Sequence, residues 1–203
     1  MIEVTTSTIR ELREMTGAGM MDCKAALESA EGDLARAAQL LREKGIAKAA
    51  KRADRQTGAG LVEAYLHRTG DFPAQVGALV EINCETDFVA KGDDFRQLAR
   101  ELAMQVAASN PRWLDVESIP QEVIDQEREL YRRKAEQEGK PEATIERIVE
   151  GQLRALGKDS CLLEQPWVRD AKVPIKELIA QAVGKLQENI TVRRFSRFSI
   201  KEG

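Results

Sequence analysis

The hydrophobic period of this chain changes once, sharply, and that change limits what it can fold into. Over the first fifty residues apolar side chains recur at helical spacing: Ile9, Leu12 and Met15 form one stripe, and Leu34, Ala37, Ala38 and Leu41 another. From Leu61 the period becomes two, with Val62, Ala64 and Leu66 alternating, and after a turn over Arg68 to Phe72 so do Val76, Ala78, Val80, Ile82 and Cys84. A chain with both periods is α+β: a helical N-terminal part, then a β-hairpin whose apolar face must be covered.

Punctuation residues sharpen the helical part. Thr8 with Glu11 three positions on reads as a capping box, Gly17 as a left-handed stop, and a helix over about 9–16 follows. A second helix runs from near Met21 to Gly32, and a third from an Asp33 cap to Gly45. Three helices in so short a stretch make a small bundle over residues 1–45, with a core of Leu, Met and Ala. Residues 46–60 carry Lys48, Lys51, Arg52 and Arg55 against Asp54 without an apolar stripe, and read as a basic linker. The rest, 61–203, is the core domain. In it a long amphipathic helix runs from about Phe95 to Asn110-Pro111 and is expected to cover the hairpin. Pro120 and Gly139-Lys140-Pro141 then frame a helical hairpin over 119–157, Pro174 opens a further helix, and ITVRRFSRFSI closes the chain as a strand.

Composition removes several classes of function. Acidic residues number 34 against 31 basic ones, for a net charge of −3, and between Asp115 and Glu150 acids outnumber bases eleven to six. That balance does not favour nucleic acid. The three cysteines are scattered and form no CxxC pair, His67 is the single histidine, and no GxxxxGK motif occurs. Neither a disulfide framework, a metal centre, a triad nor a phosphate-binding loop is indicated, so no cofactor and no catalytic residue is expected. No apolar run reaches the roughly 20 residues of a membrane span, and the expected compartment is a reducing cytoplasm.

Two loops break the periodicity around them. Thr16-Gly17-Ala18-Gly19-Met20-Met21 puts two methionines after a glycine turn, suited either to the bundle core or to an adaptable contact with another protein. In Cys84-Glu85-Thr86-Asp87-Phe88-Val89-Ala90-Lys91, two apolar residues sit beside a carboxylate where a connection should be polar. Phe88 and Val89 are either a staple on the following helix or a projecting wedge.

The segments TGAGMMDCKAALESAEGD, KRADR, NCETDFVAK, LLEQPWV and RRFSRF, in that order, resemble the bacterial elongation factor Ts family over nearly the whole chain. The resemblance implies a ubiquitin-associated-like bundle followed by an antiparallel sheet packed with helices. It implies a translation elongation factor, not an enzyme, that binds elongation factor Tu in its GDP-bound and nucleotide-free forms and exchanges GDP for GTP. On this chain, Arg13, Met20 and Met21 match the bundle surface that touches the partner. Thr86, Asp87, Phe88 and Val89 match the loop that dislodges Mg²⁺ and distorts the partner's phosphate site. Longer members carry a second hairpin-and-helix unit, so the single copy here implies a homodimer. The alternative function is an RNA-binding module using the basic linker with Arg193, Arg194 and Arg197, which would bind with steep salt dependence.

Overall fold

The computed structural model describes residues 4–200, and they form a mixed α+β structure as expected. The chain divides into two compact units. One takes the residues up to Glu63 together with Glu81–Ala99 and Glu177–Arg193; the other takes Ala64–Val80, Arg100–Lys176 and the residues from Arg194 on.

In the first unit, α1 (Thr6–Thr16), α2 (Met20–Ser29) and α3 (Leu34–Ala50) form the bundle. Leu12, Cys23, Ala26, Leu27, Ala30 and Ala37 make its core. The capping box is set one turn earlier than the sequence suggested. Thr5 is the N-cap, its hydroxyl accepts from the Thr8 N–H at 3.2 Å, and the Thr8 hydroxyl accepts from the Thr5 N–H at 3.0 Å. Residues 5–8 are all cap-capable, and using the first of them gives the helix an extra turn of hydrogen bonds. Gly17 closes α1 in the left-handed region at φ 66°, with its N–H on the Arg13 carbonyl at 2.8 Å. Asp33 caps α3 through the Arg36 N–H.

Gly45 does not stop α3, which continues to Ala50. It is buried because α8 (Ile175–Leu186) packs there: a Cβ at Gly45 would lie 3.8 Å from the Ala180 carbonyl oxygen, and one at Gly184 would lie 3.2 Å from the Gly45 Cα. The glycines let two helices approach closely, a role that a local pattern cannot distinguish from a stop. Arg42 of α3 and Glu177 of α8 reinforce the approach with a paired hydrogen bond.

The three-stranded sheet has the order β1 (Ala59–His67), β2 (Val76–Cys84), then β5 (Ile190–Ser199), with β2 in the centre. Its inward face carries Ala78, Val80, Ile82 and Cys84 of β2, all buried. Val62, Ala64 and Leu66 of β1 face outward instead, which reverses the expectation for that strand. Leu66 lies over Gly77 on the outer side of β2, where a Cβ on Gly77 would meet its side chain at 2.9 Å. Leu61, Glu63 and Tyr65 are therefore the inward set. Alternation defines two faces, and with apolar residues on both it does not say which is inside. Along β5 the phase switches: Ile190 and Val192 are buried, Arg193 and Arg194 are both exposed, and Phe198 lies outward.

Between β2 and β5 come α4 (Asp87–Ala90), α5 (Asp93–Ser109), α6 (Gln121–Gln137) and α7 (Glu142–Ser160). The last two pair as the expected helical hairpin around Ala135, Ile145 and Val149, with Gly139 at φ 69° in the turn. A short antiparallel pair, β3 (Pro166–Trp167) and β4 (Asp170–Pro174), precedes α8 where the sequence pattern indicates no strand. Bracketed by prolines and at most five residues long, its strands carry no period to read.

Candidate functional site

The loop after β2 folds into a single helical turn, α4, and that turn separates its two apolar residues. Thr86 is its N-cap, accepting from the Val89 N–H at 3.4 Å, and Asp87 supplies the acid favoured in a first turn. Val89 and Ala90 point inward and are buried. Phe88 points out, 88% exposed. The staple reading therefore fails for Phe88, while Val89 is buried. Thr86 and Asp87 are exposed beside Phe88, so a carboxylate, a hydroxyl and a bare aromatic ring share one outward turn.

The turn is fixed from below. Cys84 is buried, and desolvation, helped by the nearby Glu188 carboxylate, pushes its thiol above the usual range. Its Sγ donates to the Thr86 carbonyl at 3.3 Å. On the far side the Gly92 N–H closes onto the Val89 carbonyl at 2.9 Å.

The bundle loop is equally well held. The Thr16 hydroxyl donates to the Leu12 carbonyl at 2.7 Å and accepts from the Ala18 N–H at 3.3 Å, and Gly19 is the N-cap of α2. Met20 and Met21 occupy the first turn of α2 at 40% and 76% exposure, so they are not core filler. Arg13, in the last turn of α1, is exposed too.

Lys185 of α8 links the surroundings of the two loops. Its side chain would be 3.3 Å from a Cβ on Gly17, and its Nζ pairs with Asp94 Oδ1 in the first turn of α5 at 2.7 Å. The 16–21 loop and the segment that follows α4 thus meet a common lysine within one compact unit.

Five cations of the RNA-binding alternative are engaged with their own chain. Lys48 joins Lys44 on Asp22, Arg52 is bonded to Gln187, and Arg55 pairs with Glu85. Arg193 pairs with Glu81, and Arg197 donates to the Ala107 carbonyl. The linker, residues 46–60, includes no aromatic side chain on which bases could stack. Among the described residues no group of three or more His, Cys, Asp or Glu is placed to hold a metal ion, and no helix is long and apolar enough to cross a membrane.

Sequence reasoning missed one group at this site. Glu188, between α8 and β5, bonds to both Glu85 and Thr86. Nothing in the local pattern of a polar turn ties it to residues about a hundred positions earlier.

Comparison with known proteins finds relatives over nearly the whole chain. The family model described as Elongation factor TS matches residues 3–202. The elongation factor Ts of Frankia alni is 53% identical over 203 residues, covering the whole of both chains. That of Carboxydothermus hydrogenoformans is 51% identical over 98% of this chain and 90% of its own. That of Caldanaerobacter subterraneus subsp. tengcongensis is 50% identical over 98% of each.

Proposed function

The chain belongs to the elongation factor Ts family, the translation elongation factors of that name, and from that premise we propose that it drives GDP release from elongation factor Tu by inserting Phe88. The observation that carries this reading is the opposed placement of neighbours on one short turn: Val89 anchors it in the interior while Phe88 stands almost fully in solvent. An aromatic ring held out by a fixed backbone has little freedom left to lose on docking, which makes it a suitable anchor.

GDP on a GTPase is held by a phosphate-cradling loop and by Mg²⁺. Phe88 enters the partner beside that site, and the Asp87 carboxylate, next to it, disturbs the electrostatics that retain the metal. Thr86 caps the turn. No bond of the nucleotide is made or broken, so the chain is an exchange factor rather than an enzyme, acting in the cytoplasm where translation proceeds. Arg13, Met20 and Met21 form the second contact, soft side chains that adapt to a partner surface. In this reading residues 1–45 are a docking module, 46–60 its basic linker, whose first residues continue α3 to Ala50, and 61–203 the exchange and dimerisation domain. The homodimer uses the outer sheet face, where Leu66, Leu79, Phe198 and Ile200 are exposed.

Coupling between nucleotide and exchange factor is reciprocal: whatever factor by which the chain weakens GDP, GDP weakens the chain. It therefore binds nucleotide-free elongation factor Tu most tightly, and GTP expels it. Gel filtration of the two proteins after nucleotide removal should show a stable complex that GDP with Mg²⁺ dissociates. Absence of a complex with the nucleotide-free partner would defeat the proposal.

A further inference from the structure

Three stretches far apart in sequence meet at the turn between α8 and β5. The Glu188 carboxylate accepts three hydrogen bonds from the segment just ahead of α4: Oε2 takes the backbone N–H groups of Glu85 and Thr86, both at 3.0 Å, and Oε1 takes the Thr86 hydroxyl at 2.6 Å. Asn189 is buried, and its N–H donates to Glu85 Oε1 at 2.6 Å. Its Nδ2 donates to the carbonyls of Ala53 at 3.1 Å and Arg55 at 2.8 Å. Arg52 completes the arrangement from the same side, with Nε on the Gln187 carbonyl at 3.1 Å and Nη2 on Gln187 Oε1 at 2.8 Å. Arg55 in turn pairs with Glu85.

A helix of four residues is too short to hold its own direction, since nucleating one turn is unfavourable without outside support. Phe88, nearly all in solvent, has no packing that could orient it, so its direction is that of the turn. Glu188 supplies the missing support. By accepting the hydrogen bond of the Thr86 hydroxyl it also turns a lone pair of that oxygen toward the Val89 N–H, which makes the N-cap.

We propose that Glu188 and Asn189 are positioning residues for exchange: Glu188 sets the direction of Phe88, and Asn189 ties the same turn to residues 53–55, where the chain leaves the N-terminal bundle. The two partner contacts would then be held in register by one polar turn. This inference rests on the reading of Phe88 as the inserted group.

The test uses the full chain with Glu188→Ala, Glu188→Gln, Phe88→Ala and the Glu188→Ala/Phe88→Ala double substitution. It measures release of a fluorescent GDP from elongation factor Tu at saturating factor, the concentration for half-saturation, and hydrogen exchange at the Glu85 and Thr86 amides. In Glu188→Ala those amides should exchange faster, and the maximal release rate should fall on the order of tenfold while half-saturation moves much less. Glu188→Gln, which keeps an acceptor oxygen, should recover part of the rate. The double variant should be no slower than Phe88→Ala, because one effect acts through the other.

If Glu188→Ala lowers global stability, Thr86→Val serves instead: it removes the hydroxyl, with its bond to Glu188 and its cap on the Val89 N–H, keeps both backbone N–H bonds to Glu188, and should slow release in the same direction. Wild-type release by Glu188→Ala with freed amides, or a double variant slower by the product of both effects, would overturn the inference while leaving Phe88 in place. Wild-type release by Phe88→Ala would overturn the wedge reading itself.

Discussion

Phe88 and Val89 are adjacent, both apolar, and opposite in environment, so the same truncation should have opposite effects at the two positions. Val89→Ala removes two methyl groups from a buried site and should cost about 1 to 2 kcal/mol of folding stability. Phe88→Ala removes a ring that touches little of its own chain and should leave the melting temperature within the scatter of neutral surface substitutions, about 0.5 kcal/mol. Thermal or denaturant unfolding of the two variants checks this. A Phe88→Ala variant as destabilised as Val89→Ala would mean that the ring packs at home in solution. The pair also shows the limit of sequence reading at this scale. A break in period marks residues 86–89 as unusual, but which of two neighbouring apolar residues turns inward follows from the N-cap at Thr86 and the direction of one helical turn.

At the scale of elements, what was legible depended on whether the signal was local. Gly17, Asp33 and the Gly139-Lys140-Pro141 turn act through their own backbone conformation or side-chain caps, and the helices they bound could be read directly. Gly45 acts through α8, the outward face of β1 is fixed by β2, and Glu188 binds residues 102 and 103 positions away. Such roles have no local spacing to betray them.

The tie between α2 and α3 gives a test on this scale. Asp22 receives Lys44 Nζ at 2.6 Å and Lys48 Nζ at 3.0 Å, and these hydrogen bonds, Lys44 first, hold its carboxyl below its ordinary value of 3.8. A carboxyl with a depressed folded-state pKa stabilises the bundle above its unfolded pKa, and that stabilisation is lost as pH falls through the folded value. Asp22→Asn should therefore melt lower than the parent near neutral pH, and the difference should shrink below pH 3.8. Because the carboxylate is about one-third exposed, the neutral-pH difference should be modest and should fall with added salt. A difference that persists unchanged in acid would place the effect of Asp22 in something other than its charge.

For the molecule as a whole, the outer side of the sheet and the Phe88 turn make separate demands. Leu66, Leu79, Phe198 and Ile200 leave apolar side chains in water that a second copy would cover, and β5 is an edge strand. Light scattering at micromolar concentration should give twice the 22.6 kDa chain mass, and Phe198→Glu should halve it. A monomeric parent would contradict the proposed dimer and leave the exchange reading untouched. All three cysteines are buried and free, so the dimer should persist in reductant.

The exchange reading is tested most directly by stopped-flow release of a fluorescent GDP from elongation factor Tu. The parent chain should accelerate release, and Phe88→Ala should be slower by about tenfold or more, the loss of a buried aromatic anchor. No acceleration by the parent, or an equal rate from a folded Phe88→Ala variant, would contradict the claim that this turn opens the nucleotide site.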